Sequence, residues 1–187
     1  MTAFYQRIRS FCPLLRSRYL CIALLLATSI AGGCRARPKS VPINQNFDAL
    51  TGWFSPEPSW LTSTKAHSGK YACLMDAKDE YLTLFKTKFA DIDEPRRVRL
   101  RSWAWLPRSG LKISLVLVVS RGDSVLAWEQ LPIGQVTRRY QQWEPAVRDI
   151  DLPHTLAPDD KVQLYLWQSS DTRENLYVDD IVLEKIR

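Results

Sequence analysis

Two segments of the chain alternate between apolar and polar residues with the period of two that marks a half-buried β-strand. In residues 97–106, one side of the predicted strand carries Val98, Leu100, Ser102, Ala104 and Leu106, and the other side carries Arg97, Arg99, Arg101, Trp103 and Trp105. Residues 161–169 repeat the pattern, with Val162, Leu164 and Leu166 on one side and Gln163, Tyr165 and Trp167 on the other. Each segment is therefore predicted to turn its aliphatic row towards a core.

Three further segments have the composition of strands. Residues 112–120 are apolar and β-branched, and the turn Arg121-Gly122-Asp123-Ser124 leads into residues 125–131, which predicts a hairpin. Residues 175–185 form the last predicted strand. No window of eleven or more residues after residue 33 has a convincing helical period, and prolines and turn residues separate the segments. The pattern predicts a single all-β domain, an antiparallel sandwich or barrel.

The first 33 residues have a different pattern, which is typical of an export signal. Four arginines precede an apolar run, Leu20 to Ile30, that is too short for a membrane-spanning helix of about 20 apolar residues. The run ends in Ala31-Gly32-Gly33-Cys34, which resembles the lipidation motif of bacterial lipoproteins, with Ala31 where Leu is usual. We expect a signal peptide over residues 1–33, an acylated Cys34, a tether over residues 34–43 and the domain over residues 44–187. The alternatives are a signal peptide cut elsewhere and an uncleaved anchor.

Charge and cysteine content narrow the class of protein. The chain has 26 basic and 20 acidic residues, and the predicted signal peptide carries four of the basic residues and no acidic one. The remainder has 22 basic and 20 acidic residues, so its net charge is about +2 and nucleic-acid binding is not expected. Cys73 is the only cysteine after Cys34, and its apolar neighbours predict a buried, unreactive thiol rather than a nucleophile.

Several short motifs follow one another in a recognisable order: Asn46-Phe47-Asp48, His67-Ser68-Gly69-Lys70-Tyr71, the strand Arg99 to Trp105, Trp143 ahead of Asp149-Ile-Asp-Leu-Pro153, and Tyr177-Val-Asp-Asp-Ile-Val-Leu-Glu184. This order, over about residues 44–184, resembles carbohydrate-binding modules and galactose-binding-like jelly rolls, especially in small envelope proteins of Bacteroidetes type. The resemblance implies an antiparallel β-sandwich (jelly roll) that binds saccharides on a sheet face or a loop edge.

Sugar binding needs aromatic rings for the apolar faces of pyranoses, with polar groups beside them. If the two alternating strands are neighbours in one sheet, their outward faces form a mixed aromatic and guanidinium surface of Arg99, Arg101, Trp103, Trp105, Gln163, Tyr165 and Trp167. We therefore predict a ligand-binding surface there. The alternatives are that Trp103 or Trp105 packs into the core, or that arginine stems cover the rings.

The resemblance also implies a structural calcium ion where the first strand, the Ser-Gly-Lys turn and the last strand meet. Asp48 falls where relatives usually carry Glu, Lys70 would supply its backbone carbonyl, and Asp179 or Asp180 would supply the closing carboxylate. Alternation predicts that one aspartate of the pair points inward, where a carboxylate needs a cation or hydrogen-bond donors. A pair of solvated acids is the alternative.

The sequence gives little support to catalysis. Its two histidines, His67 and His154, lie far apart and are expected at the surface. Phosphate-loop, Cys/His metal and Gly-x-Ser-x-Gly motifs are absent. The acidic group Asp91-Ile-Asp93-Glu94 is too compact for the paired acids of jelly-roll glycosidases. We expect a protein without enzymatic activity, and a divergent hydrolase is the weakest alternative.

The predicted function is saccharide binding by a lipid-anchored protein of a bacterial cell envelope. The alternative is a structural or assembly lipoprotein that binds an envelope protein through the same aromatic face. The basic stretch Arg35-Ala36-Arg37 after the cysteine differs from the acidic surface-export signals of Bacteroidetes lipoproteins. This difference favours a position facing the periplasm.

Overall fold

The computed structural model describes residues 43–48, 59–169 and 171–187, and within them ten β-strands form two antiparallel sheets. The strands are β1 (Ile43–Gln45), β2 (Leu61–Thr62), β3 (Ala72–Met75), β4 (Tyr81–Lys88), β5 (Arg97–Trp105), β6 (Ile113–Arg121), β7 (Ser124–Leu131), β8 (Trp143–Asp151), β9 (Lys161–Gln168) and β10 (Leu176–Lys185). The helical segments of the described chain are two single turns, Phe89–Ile92 and Ile133–Val136. The predicted all-β fold is confirmed.

Neighbouring strands within each sheet are mostly not consecutive in the chain. Sheet A has the order β2-β3-β10-β5-β8, with β1 also paired to β10. Sheet B has the order β4-β9-β6-β7. The predicted hairpin is β6–β7, and its register runs from Leu115 opposite Leu131 to Arg121 opposite Ser124.

The inner faces of the two sheets enclose one hydrophobic core. Alternation placed its rows correctly: Val98, Leu100 and Ala104 of β5, and Val162, Leu164 and Leu166 of β9, are all buried. Burying a Val or Leu side chain contributes about 1.5–3 kcal/mol. The aliphatic rows therefore fix which side of each strand faces outward.

Two long strands, β4 and β8, were not predicted from the sequence. In β8 every second residue is exposed or only half-buried, but the exposed Arg148 breaks the alternation and Pro145 lies within the strand. A proline is tolerated there because β8 is an edge strand, whose outer N–H groups have no ladder partner.

Cys73 is fully buried within the core, as predicted. Burial raises the pKa of its thiol far above the ordinary value, and the nearby Asp179 carboxylate adds to the shift. The thiolate needed for nucleophilic chemistry is therefore suppressed.

The predicted signal peptide and Cys34 lie outside the described residues, as does the tether as far as Pro42. Among the described residues, no helix has the length and apolar character required to cross a bilayer.

Candidate functional site

The surface predicted from the two alternating strands is divided between the two sheets. Strand β5, with Arg99, Arg101, Trp103 and Trp105, lies between β10 and β8 in sheet A. Strand β9, with Gln163, Tyr165 and Trp167, lies between β4 and β6 in sheet B. Both sets face away from the core, so they lie on opposite outer faces of the sandwich. The expectation of one shared surface is wrong because a period of two fixes the face of a strand and not its neighbours.

The tryptophans of sheet A are covered by the segment that links β2 to β3, residues 63–70, which we call the strap. The His67 ring stacks on Trp103, with ring centroids 3.8 Å apart and an interplanar angle of 14°. The same imidazole meets the Trp143 ring edge-on at 5.7 Å. Lys65 places its ammonium 4.1 Å from the centroid of the Trp105 ring. Trp103 and Trp105 are half-buried beneath the strap. They neither form an open surface nor pack into the core, the two arrangements considered from the sequence.

Two neighbouring carboxylates of β10 hold the strap in place. Asp179 Oδ2 accepts hydrogen bonds from the backbone N–H groups of His67 (2.8 Å) and Ser68 (3.1 Å). Asp180 accepts from Ser68 Oγ (2.7 Å), and its other oxygen lies 2.6 Å from His67 Nδ1. Burial raises the pKa of Asp179 above its usual value, against the opposing effect of the backbone N–H donors. The buried carboxylate thus has hydrogen-bond donors as partners.

A β-bulge between Asp179 and Val182 explains how two successive aspartates reach the same strap. Asp180 has a φ of +47°, in the left-handed region, so strict alternation is broken there. Asp179 is paired in register with Trp103, on the outer side of the sheet. One aspartate of the pair, Asp179, is buried and has hydrogen-bond donors, as predicted, but it is buried under the strap on the outer side of the sheet rather than on its inner side. His67, expected as a simple surface residue, is half-buried, whereas His154 is exposed as expected.

The arginines at the other end of this face are occupied in part by acids of β8. Arg99 makes a two-pronged pair with Asp149, with nitrogen–oxygen distances of 2.7 and 3.0 Å. The hydrogen bonds and charge of Arg99 lower the pKa of Asp149. Arg101 is exposed and has no ion-pair or hydrogen-bond partner within the described ranges. Exposed ion pairs are screened by solvent, so the arginine end adds little stability.

The three carboxylates predicted to hold calcium beside the Lys70 carbonyl, those of Asp48, Asp179 and Asp180, do not fit that ion as they are arranged. Asp48 Oδ1 accepts the backbone N–H groups of Lys70 (2.7 Å) and Tyr71 (3.1 Å), which caps the turn at Gly69. Asp179 and Asp180 are engaged by donors of the strap and by the Asp180 N–H itself. Calcium requires six to eight oxygen ligands, whereas these carboxylates face N–H and O–H donors. Among the described residues, no group of three or more His, Cys, Asp or Glu side chains converges as a metal site.

The outer face of sheet B presents a continuous row of aromatic rings. Tyr81 of β4 and Tyr165 of β9 have ring centroids 6.1 Å apart. From the far edge of the sheet, Trp128 of β7 donates a hydrogen bond from Nε1 to Tyr165 Oη at 3.2 Å. Trp167 is paired in register with Tyr81. The row crosses all four strands, a distance of about 14 Å at the usual spacing between strands.

Two rings of this row are more accessible than the sheet A tryptophans, whereas Tyr165 and Trp167 are half-buried like Trp103 and Trp105. Tyr81 is 63% exposed and Trp128 is 50% exposed, and both are among the most exposed large apolar side chains of the described residues. Val116 of β6, which lies in register between Tyr165 and Gln130, is fully buried. Exposed rings above a closed floor form a platform rather than a cavity.

Polar and uncharged groups accompany the rings. Gln163 donates from Nε2 to Thr83 Oγ1 at 3.3 Å, and Thr83 is paired in register with Tyr165. Gln130 occupies the same row on β7. These amide and hydroxyl groups can exchange hydrogen bonds with ligand hydroxyls, which is the combination that sugar recognition requires.

Tyr81 and Trp128 were missed by sequence reasoning. Trp128 lies in a predicted strand, on the side opposite the half-buried Ala127 and the buried Leu131. Tyr81 lies in β4, where Leu82 and Leu84 alternate with Tyr81 and Thr83 in a readable pattern of period two. Alternation in β4 could have revealed Tyr81, whereas β7 has no clear period of two that would have revealed Trp128.

The acid–base groups near the strap do not form a catalytic relay. Ser68 Oγ and His67 Nδ1 both bond to the Asp180 carboxylate, and within the described chain no hydrogen bond joins the serine to the imidazole. A serine nucleophile needs a base that accepts its proton. Asp91 caps the turn after β4 by accepting from Thr87 Oγ1 and the Lys88 N–H, which is a structural role.

Comparison with known proteins identifies the fold. No protein-family profile matches the chain, and no curated protein matches it. A family 16 carbohydrate-binding module superposes with a TM-score of 0.50 at 14% identity, over 75% of this chain and 96% of that one. A xylan-binding domain of family 22 gives a TM-score of 0.48 at 15% identity, over 79% and 97%. The C-terminal family 22 module of Clostridium thermocellum Xyn10B gives 0.48 at 14% identity, over 80% and 97%.

At 14% identity, the likeness to the family 16 module shows the fold alone. The chain is a two-sheet antiparallel β-sandwich of the kind found in carbohydrate-binding modules, as the order of its motifs implied.

Proposed function

We propose that this domain is a non-catalytic saccharide-binding module, and that its site is the outer face of sheet B. The observation that carries the proposal is the aromatic row of Tyr81, Tyr165, Trp128 and Trp167, in which the Tyr81 and Trp128 rings are exposed. Rings of this kind stack on the apolar faces of sugars, and the neighbouring Gln163 and Thr83 supply hydrogen-bonding groups. The sandwich fold, which carbohydrate-binding modules share, supports the proposal without identifying a ligand.

Sheet A is the weaker candidate, although it holds four of the seven residues chosen from the sequence. His67 and Lys65 occupy the ring faces of Trp103 and Trp105. A sugar would have to displace those contacts, whereas the rings of Tyr81 and Trp128 are already half to two-thirds exposed. The difference in accessible ring area favours sheet B.

The proposal is tested by removing single aromatic rings from each of the two faces in separate variants. Tyr81→Ala and Trp128→Ala should each weaken binding to a glycan found on a broad array by tenfold or more, as a lost binding anchor does. Because both rings are largely exposed, each change should lower the free energy of unfolding by less than about 1 kcal/mol. Trp105→Ala, on the opposite face, should leave the affinity unchanged.

The same variants separate the saccharide from a protein partner. If no glycan on the panel binds the wild-type domain, and an envelope protein is captured by wild type but lost with Trp128→Ala, the face is a protein interface. If Trp105→Ala abolishes glycan binding and Trp128→Ala does not, the site belongs to sheet A. Either result contradicts the proposal.

We further propose that the domain is anchored to a bacterial envelope membrane by an acylated Cys34, facing the periplasm. Support comes from the sequence: the basic and apolar segments before Ala31-Gly32-Gly33-Cys34 and the basic residues after it. A tether over residues 34–43 reaches at most about 35 Å when fully extended. Such an anchor would keep the aromatic row close to envelope glycans.

A further inference from the structure

The strap places the ammonium group of Lys65 against two aromatic rings that belong to strands of sheet A. Trp105 of β5 and Tyr177 of β10 are paired in register on the outer face of sheet A. Their rings meet edge to face, with centroids 5.7 Å apart and an interplanar angle of 81°. The two rings stand at nearly a right angle and form two adjacent walls of an aromatic cage, and each ring is held by a strand of the sheet.

Lys65 fills this corner with its ammonium group. Its Nζ lies 4.1 Å from the centroid of the Trp105 ring and 5.5 Å from that of the Tyr177 ring. Both distances are within the roughly 6 Å over which a cation is attracted to an aromatic face. Within the described ranges, Lys65 has no carboxylate partner and no hydrogen bond, so the rings are the groups that hold its charge.

The part of the strap that carries Lys65 is attached more loosely than the part that carries His67. The hydrogen bonds that the strap makes to Asp179 and Asp180 all come from His67 and Ser68. Before them, the hydrogen bonds described for the strap are local, between Thr62 and Thr64. Lys65 can therefore leave the cage while the stacked His67 and its carboxylate partners stay in place.

We propose that Trp105 and Tyr177 form a binding site for a small organic cation bearing an alkylated ammonium group, and that Lys65 occupies it as an internal competitor. The site is separate from the proposed saccharide face, which lies on the other sheet. A quaternary ammonium group suits this corner because it spreads its charge over methyl groups that contact both rings. Ligand entry requires only that the Lys65 side chain swing out.

The competition predicts a measurable difference between lysine variants. Choline is titrated into the whole domain while the indole N–H resonance of Trp105 is followed by NMR. Lys65→Gln should bind choline about two- to fivefold more tightly than wild type, the factor expected when a partly exposed cation–π contact has to be displaced. Lys65→Arg keeps a cation in the cage and should resemble wild type. Lys70→Gln removes the other lysine that lies over a ring, Tyr71, and should change nothing at Trp105.

The ligand chemistry is tested with 3,3-dimethyl-1-butanol, which has the shape of choline without its charge. The alcohol should shift the Trp105 resonance far less than choline does. Trp105→Leu in the Lys65→Gln background should abolish the choline effect at Tyr177 while the other amide resonances keep their native positions. If native-like Lys65→Gln does not bind choline, or binds the alcohol equally well, the assignment of a cation site is overturned.

Discussion

Gly69 stands at the closest approach between the strap and the start of the domain. It has a φ of +58°, and a Cβ built on it would lie 1.5 Å from Asp48 Oδ2. Any side chain would therefore meet two penalties, the strain of the left-handed backbone and the displacement of the carboxylate that caps this turn. A glycine is required here for both reasons.

Replacing Gly69 should destabilise the fold more than replacing a glycine whose Cβ position is open. Gly69→Ala should lower the free energy of unfolding by about 2–4 kcal/mol, from backbone strain and from the loss of the Asp48 bonds to Lys70 and Tyr71. Gly122→Ala is the matched control, because Gly122 has a φ of +56° with nothing within 4 Å of its Cβ position. The control should lose only about 1–2 kcal/mol in chemical denaturation. Equal losses for the two variants would contradict the capping role of Asp48.

The sequence predicts the orientation of some single side chains and not of others. The outward positions of Trp103 and Trp167 follow from the aliphatic rows beside them, since a core accepts one face of each strand. The position of His67 does not follow from any local pattern. Its ring stacks on Trp103, and its Nδ1 bonds to Asp180, 113 residues away in the chain. Contacts of that sequence separation depend on strand pairing, which periodicity does not encode.

At the scale of elements, the strap and the bulge of β10 form one unit. The bulge turns Asp179 and Asp180 towards the same segment, and together they receive two backbone N–H groups, a hydroxyl and an imidazole. Charge-assisted hydrogen bonds are stronger than neutral ones, so this cluster gives the strap most of its attachment. The strand at residues 175–185 was predicted, but its bulge was not, because a bulge leaves the composition unchanged.

This unit determines the expected response to calcium. Since the Asp48, Asp179 and Asp180 carboxylates already face protein donors, metal-stripped protein should melt at the same temperature with excess calcium and with chelator. A site that binds only the folded state would add about 2.7 kcal/mol at a hundredfold excess over Kd, which a thermal melt detects readily. Stabilisation by calcium that is lost in Asp180→Asn would show that these donors give way to the ion.

Asp180→Asn also serves as a test of the strap without metal. The change keeps the shape of the side chain and removes the charge that faces His67 and Ser68. Because Asp180 holds the side chains of these residues, the strap should open more often, and the His67 and Ser68 amides, which donate to Asp179, should exchange faster while the protection of β6 and β9 stays unchanged. Uniform loss of protection across both sheets would contradict an independently attached strap.

At the scale of the whole molecule, the decisive fact is the division of strands between two sheets. Local patterns predicted the fold class and most of the long strands, because burial on one face leaves a period of two in the sequence. They did not predict that β5 pairs with β8 and β10 while β9 pairs with β4 and β6. The seven residues predicted to form one surface therefore lie on two faces. The most exposed rings of the described residues, Tyr81 and Trp128, were not among those seven.

The anchor is a prediction about the whole protein that rests on the sequence. Wild-type protein expressed in bacteria should partition into detergent and incorporate a palmitate analogue, because two or three acyl chains hold a protein stably to a membrane. Cys34→Ser should be soluble or unprocessed and unlabelled. Cys73→Ser is the matched control, since Cys73 is buried in the domain and should not affect labelling. An unlabelled wild type with a different mature N-terminus would contradict the anchor.

Indole N–H resonances report directly on the proposed binding of a saccharide to the outer face of sheet B. Trp128 Nε1 donates to Tyr165 Oη in the middle of the aromatic row, while Trp103 and Trp105 lie on the opposite face. During titration with a bound glycan, the Trp128 and Trp167 indole signals should move with one common Kd, and those of Trp103 and Trp105 should stay fixed. Movement of the Trp103 and Trp105 signals with Trp128 unchanged would contradict the account.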